Sequence, residues 1–313
     1  MSELDLLRSL PLDVDAPGEE ARARARGRLL RHLRHVRPSH RRRLLVAAAA
    51  LAAAGAAVAL LGVGVHGDGN ASAAPALRQA AAVARLQPPP PAPTRGHYVY
   101  SKSVEAFLVI DGDKGWAALG PKVREVWIGR HGGLLHETSA EPEFLSARDH
   151  DRWVAAGRPR VNAPEATERL GPTAPLDLPT DPDALFAKLR AKAEGNANGV
   201  DAEMFTLVGD ALRETDASPR LRASLYEVAA RIPGVELLGP TIDRAGRHGV
   251  AVAYASSHNH ERNELIFDPH TSALLEEQTV ELGGNSFGYP AGTVTGYATY
   301  VSTGVVDRLG ERP

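Results

Sequence analysis

Histidines and carboxylates stand close together at several places in this 313-residue sequence. His258-Asn259-His260 spells the letters of a nuclease motif, but in those nucleases the three residues are spread over a metal-binding ββα unit. Here they are contiguous, in a loop between two apolar stretches, which reads as a hairpin turn. His131 and His136 are five apart with Glu137 adjacent. A zinc hydrolase needs two His four apart on one helix face with Glu between them, and a Gly-Gly pair breaks this segment. His150 lies between Asp149 and Asp151, where a carboxylate can orient its ring, and the segment reads as a solvated turn. Asp201 and Glu203 open a helix, a position that favours carboxylates through the backbone dipole without any chemistry. GDKGWAALG and GGNSFGYPAG are Gly-rich, yet neither opens a helix with the Lys-Ser/Thr end of a phosphate loop. The chain has no Cys, which excludes disulfides and Cys-based zinc sites. The expectation is a non-enzymatic chain with no catalytic residue, no metal and no cofactor.

The elements that carry these residues have clear punctuation. HYVYSKSV, REVWIG and LLHET are rich in β-branched and aromatic residues and read as early strands, followed by an irregular excursion over 140–180 in which LSARDHDRWVAAG makes a helical turn. Three helices follow. Thr180 or Asp181 caps the first with Pro182 at its first position, Asp201 caps the second, and Ser218 caps the third with Pro219 behind it. VELLGPTID, GVAVAYAS, NELIFDP, ALLEEQTVEL and TVTGYATYVSTGVV then alternate with short turns, a spacing that favours antiparallel hairpins. Strands, then helices, then a strand meander predict an α+β domain over 96–313, a curved antiparallel sheet packed on helices.

The first third of the chain is organised differently. Leu44 to Val65 is 22 residues of Leu, Val, Ala and Gly only. As a helix it would reach ~33 Å, the thickness of a bilayer's hydrocarbon, and it has no polar face. Residues 1–43 hold 11 Arg, no Lys and 6 Asp+Glu, a formal +5, which leaves −7 for the rest. Arg41, Arg42 and Arg43 abut the apolar run and orient it with the N-terminal side in the cytoplasm. The predicted order is a cytoplasmic basic segment (1–43), a transmembrane helix (44–65), an Ala/Pro-rich linker (66–95) in which Pro75 to Leu86 reads as a short Ala-rich helix, and the extracytoplasmic domain (96–313). Ala71-Ser72-Ala73 resembles a signal-peptidase site, but the apolar run is too long and its leader too extended for a cleaved signal peptide. The Arg-rich stretch lacks the interleaved aromatics, zinc spacing or helix-turn-helix of a nucleic-acid reader, so direct nucleic-acid binding is not expected. Within 1–43, Leu29, Leu30, Leu33 and Val36 recur at helical spacing on a basic short helix. This stripe fits either the inner leaflet or a cytoplasmic protein partner.

DAPGEEARARARGRLL, the apolar run, HYVYSKSV, DAEMFTLVGDALRET, RIPGVELLG, RHGVAVAY, ELIFDPHTSALLEEQ and GYPAGTVTGYATYVSTGVVDR together resemble an uncharacterised actinobacterial family of single-pass membrane proteins. Its genes often lie beside those of extracytoplasmic-function (ECF) sigma factors. The resemblance implies an anti-sigma-like cell-membrane protein whose outer domain is similar, at fold level, to the half-barrel sensor and lipoprotein-carrier domains of the LolA/RseB type. It also implies a sigma factor or another cytoplasmic protein as partner, beside the lipid bilayer. The alternative is a lipid-binding envelope protein with a simple tether, which requires an apolar cavity of several hundred Å³ between sheet and helices, as is usual for a pocket that buries a hydrophobic ligand.

Overall fold

The structure, a computed structural model, describes residues 71–88, 97–171, 178–213, 217–283 and 289–313. Arg41, Arg42 and Arg43, the Leu29–Val36 stripe and the Leu44–Val65 run lie outside the described residues. Among the described residues no helix is long and apolar enough to cross a membrane.

The domain is α+β, with one large antiparallel sheet packed against helices. Its strands are β1 (Tyr98–Asp111), β2 (Trp116–Leu119), β3 (Lys122–Gly129), β4 (Gly132–Ser139), β5 (Ala166–Leu170), β6 (Val235–Ile242), β7 (His248–Ser256), β8 (Glu261–Phe267), β9 (Leu274–Glu281) and β10 (Val294–Val306). The helices are α1 (Ala74–Leu86), α2 (Ala147–Ala155), α3 (Pro182–Ala193), α4 (Val200–Leu212) and α5 (Pro219–Ala229). Strand order is β5-β4-β3-β1-β10-β9-β8-β7-β6, with β2 paired to the end of β1. The two meanders meet where β1, the first strand, pairs with β10, the last, from Tyr98↔Val306 to Phe107↔Gly296. Register shifts at Lys102/Ser103, Leu237/Gly239, Ile266/Phe267 and Val294/Gly296 mark bulges, which bend strands locally.

Alternation along the strands sets two faces. Val252, Leu265 and Phe267 join one core with Leu185, Leu189, Phe205, Val208, Leu225 and Tyr226 of α3–α5. Ala251, Ile266 and Leu275 point the other way and form a small separate cluster. On that opposite face Val104, Ala106 and Tyr297 are covered by Leu119 of β2 and Leu145. Residues near the C-terminus cover Tyr100 and Trp127 there. The Trp127 indole N–H donates to the Glu311 carbonyl. Arg312 holds buried Glu125 from two sides, with Nε to Oε1 at 2.6 Å and Nη2 to Oε2 at 2.8 Å, and Tyr100 OH donates to the same carboxylate at 2.6 Å. Burial raises the Glu125 pKa, but Arg312 and Tyr100 outweigh it and hold the carboxyl at about 2.

Farther along the opposite face, Glu276 is fully buried. It accepts from Arg244 N and Thr299 Oγ1, each at 2.7 Å, and from Gln278 Nε2 at 2.5 Å. Burial pushes its carboxyl pKa up against these bonds. The Arg244 guanidinium lies 3.8 Å from the centre of the Tyr297 ring, and so fastens the β6–β7 turn across the sheet.

Two helix starts follow the sequence expectation. Asp181 accepts from Ala184 N at 2.9 Å, with Pro182 behind it, and Ser218 accepts from Leu221 N at 3.2 Å. The α4 start differs. Gly199, at φ 90°, occupies the cap position without a side-chain bond, and Asp201 lies inside the first turn. LSARDHDRWVAAG is a capped helix rather than a single turn, since Ser146 Oγ accepts from Asp149 N at 3.1 Å.

Of the segment read as a linker over 66–95, residues 71–88 are described, and they pack on the domain. Leu77, Ala80, Ala81 and Ala84 make a buried stripe on α1, and the small Ala side chains let it pack closely on α5. Just before it, Leu237 N donates to Ala71 O at 2.7 Å and Ala73 N donates to Val235 O at 3.2 Å. Ala71–Ala73 therefore closes part of the free edge of β6, and α1 belongs to the folded domain.

Candidate functional site

Register, not sequence proximity, assembles a concave part of the surface. Leu265 on β8 pairs with Glu277 on β9, which pairs with Ala298 on β10, which pairs with Glu105 on β1. One step away, Asn263, Thr279, Gly296 and Phe107 make a parallel row. Both rows lie on the helix face, because Leu265 packs into the helical core. The helices cover this face at β6 and β7, and α4 brings Phe205, Thr206, Gly209 and Arg213 to the edge of the rows. Between them lies a pocket of about 210 Å³.

Two glycines permit this close approach. A Cβ at Gly209 would lie 3.2 Å from Leu265 Cδ2 and 3.4 Å from Glu277 Oε2, so a larger residue there would press on both side chains. A Cβ at Gly296 would lie 3.3 Å from Phe107 Cδ1. Phe107 is 54% exposed and forms part of the pocket wall.

The polar side chains of the pocket are engaged with one another. Arg213, at the end of α4, donates from Nε to Glu277 Oε1 at 3.1 Å and from Nη2 to Oε2 at 2.6 Å. It also reaches Asp210 at 3.0 Å. Tyr300 OH donates to Glu277 Oε1 at 2.7 Å. Burial opposes the Arg213 charge, but the Glu277 carboxylate outweighs it and pushes the guanidinium pKa up. Burial, then the Glu277 charge, raises Tyr300, so its phenol remains a hydrogen-bond donor. Beyond the pocket the same face carries alternating charges. Ser103 Oγ donates to Glu105 at 2.8 Å, Arg124 lies 4.0 Å from Glu105 and 3.6 Å from Glu137, and Lys122 meets Glu137 at 2.7 Å.

No nucleophile is paired with a base along this pocket. Its groups offer hydrogen bonds and paired charges of both signs, which suits recognition of a polar or peptide-like partner. Leu265, Phe267 and Val252 are packed directly under the helices, and the open space beside them is lined by Phe107, Phe205 and Leu265 as well as by Glu105, Glu277 and Arg213.

The histidine groupings remain apart. His258 and His260 occupy the β7–β8 turn, where Asn259 bonds Glu261 at 2.8 Å. His131 is in the β3–β4 turn, while His136 lies within β4 and meets Thr167 at 2.9 Å across to β5. The His150 ring stacks edge-on against Phe144 at 5.1 Å and reaches Asp151 at 3.4 Å. Asp149 turns away from it, to Ser146 and Ala117 N. Among the described residues no group of three or more His, Asp or Glu side chains could hold a metal ion. Arg213, Glu277 and Tyr300 escaped the sequence reading because they are far apart in the chain and meet only through strand register and the packing of α4 on the sheet. GYATYV signals a strand but not which residue its Tyr will meet.

No protein-family description matches this chain, and no curated protein matches it. Two solved structures are similar to it. One is the complex of MucB with MucA(peri), at 12% identity and a TM-score of 0.29, covering 76% of this chain and 57% of that one. The other is the Pseudomonas aeruginosa MucA/MucB complex, at 15% identity and a TM-score of 0.28, covering 78% and 59%. The chain thus spans less than two-thirds of the length of each.

Proposed function

We propose that this protein is a membrane-tethered, non-enzymatic regulator. The Leu44–Val65 run anchors it, residues 1–43 face the cytoplasm, and the α+β domain lies outside. The observation that carries this reading is the division of the chain by an uncharged 22-residue run, with Arg41, Arg42 and Arg43 at one end, into parts of formal charge +5 and −7. The outer domain binds a protein segment at the Glu277–Arg213–Tyr300 pocket and the charged strip beside it, whose paired charges favour a polar chain over a lipid. Inside, Leu29, Leu30, Leu33 and Val36 form the face that meets a cytoplasmic partner. A sigma factor is the class that the family resemblance implies.

The test is crosslinking capture of the full chain from native membranes, beside a Leu29→Asp/Leu33→Asp variant. The intact chain should enrich one cytoplasmic protein and the variant should lose it. Identical profiles for the two would refute a partner at this stripe.

A further inference from the structure

The Ala71-Ser72-Ala73 motif plays no part in the function proposed above, yet the fold gives each of its residues a place. Signal peptidase cuts after a small-x-small triplet that follows an apolar run, here between Ala73 and Ala74. Its substrate must be extended, so that backbone groups pair with the enzyme and the small side chains enter its pockets. The length of the apolar run and of its leader argues against routine removal.

In the folded chain the groups a protease needs are engaged. Ala71 O accepts from Leu237 N at 2.7 Å and Ala73 N donates to Val235 O at 3.2 Å, with Ser72 bridged to Glu236 between them. The Ala73 carbonyl, which the enzyme must polarise, accepts from Leu77 N at 3.0 Å as α1 begins. Ala74 N donates to Ser72 Oγ at 3.3 Å. Ala73 has helical torsions, φ −72° and ψ −11°, and its side chain is fully buried.

The docking of α1 holds this arrangement. Leu77, Ala80, Ala81 and Ala84 are buried as α1 packs on α5, Arg85 pairs with Glu227, and Gln87 Nε2 donates to His270 O at 3.3 Å. β6 keeps its ladder with β7 whether or not α1 is present. Lifting α1 therefore frees residues 71–74 without unmaking the sheet.

We propose that Ala73–Ala74 is a latent cleavage site for a protease of the signal-peptidase class, closed while α1 is docked and opened when α1 leaves α5. Hydrolysis adds water across this peptide bond and leaves a carboxylate on Ala73 and an amino group on Ala74. The cut separates the domain from residues 1–73. On the membrane-anchor reading above, on which this consequence rests, undocking of α1 becomes release of the outer domain.

The test incubates the full-length protein, in mild-detergent micelles, with purified bacterial signal peptidase and reads the products by intact mass. Trp116, Trp127 and Trp153 lie on β2, β3 and α2, away from α1 and β6, so their emission shows whether the rest of the domain stays folded. The native chain should remain intact. Leu77→Ala loosens α1, should keep the native Trp emission, and should be cut between Ala73 and Ala74 at least ~30-fold faster, the factor equivalent to about 2 kcal/mol. Adding Ala71→Lys, a change at an exposed side chain, should abolish that cut. A native chain cut as fast as the variant, a Leu77→Ala chain that stays intact or is cut elsewhere, or a rate indifferent to Ala71→Lys would each overturn the proposal. If Leu77→Ala unfolds outright, the native chain in graded urea gives the reading. Cutting after Ala73 should then precede the Trp transition, and cutting that only accompanies it would overturn opening by α1. Carbonate extraction of native membranes tests the anchor separately: release of an intact chain would remove the anchor reading and leave the shielded site standing.

Discussion

Replacing Arg312 by Ala should destabilise the domain in a pH-dependent way that follows from the Glu125 site. The carboxylate is 6% exposed and takes both of its Arg contacts from Arg312, at 2.6 and 2.8 Å. Holding its pKa at about 2 against the usual 4.5 corresponds to about 3 kcal/mol. The Arg312 side chain is 56% exposed, so solvent screening reduces this to roughly 1–2 kcal/mol. The folded-state pKa is depressed, so the stabilisation is complete above the unfolded value of about 4.5 and is lost as pH falls toward 2. Without Arg312, burial becomes the dominant influence and the Glu125 pKa should rise. Urea unfolding in mild detergent, followed by Trp fluorescence at pH 7, 4 and 3, reads the difference between native and Arg312→Ala proteins. The gap should be widest at pH 7 and should shrink steadily at pH 4 and 3. An unchanged midpoint at pH 7, or a gap that does not depend on pH, would refute the reasoning.

Three further outcomes follow from the packing. Leu77→Ala removes a fully buried side chain from α1 and should cost about 2–4 kcal/mol in chemical denaturation, whereas a linker residue would cost nothing measurable. Gly133→Ala sets a Cβ against the Trp127 backbone carbonyl, which cannot move without breaking the β3–β4 ladder, and should lower stability by at least ~2 kcal/mol and lower the thermal midpoint. Arg213→Ala and Tyr300→Phe each remove one partner of Glu277, and a double-mutant cycle on unfolding free energies should return a coupling of ~0.5 kcal/mol or more, because both donors share Glu277 Oε1.

The sequence by itself determined most of the elements and one large-scale feature. The five strands after residue 234 were legible because they are short runs with β-branched or aromatic residues, separated by brief polar, Gly, Pro or Asp turns, and all five lie where those runs stand. Asp181-Pro182 and Ser218-Pro219 announced their helices because capping is local chemistry, completed within four residues. The split in charge about Leu44–Val65 is likewise a property of the chain alone. Tertiary structure decided what depends on partners far along the chain. Pro75 to Leu86 reads as a short Ala-rich helix within a linker, because Ala and Pro carry little hydrophobic signal, yet its Ala stripe becomes core once α5 is beside it. WAAL of β2 and ATERL of β5 are too short to show a period, and only pairing with β1 and β4 makes them strands. Glu277 and Tyr300 meet because neighbouring strands lie about 4.8 Å apart and fix which residues face one another, and Arg213 joins them because α4 packs on that face, relations no local pattern encodes.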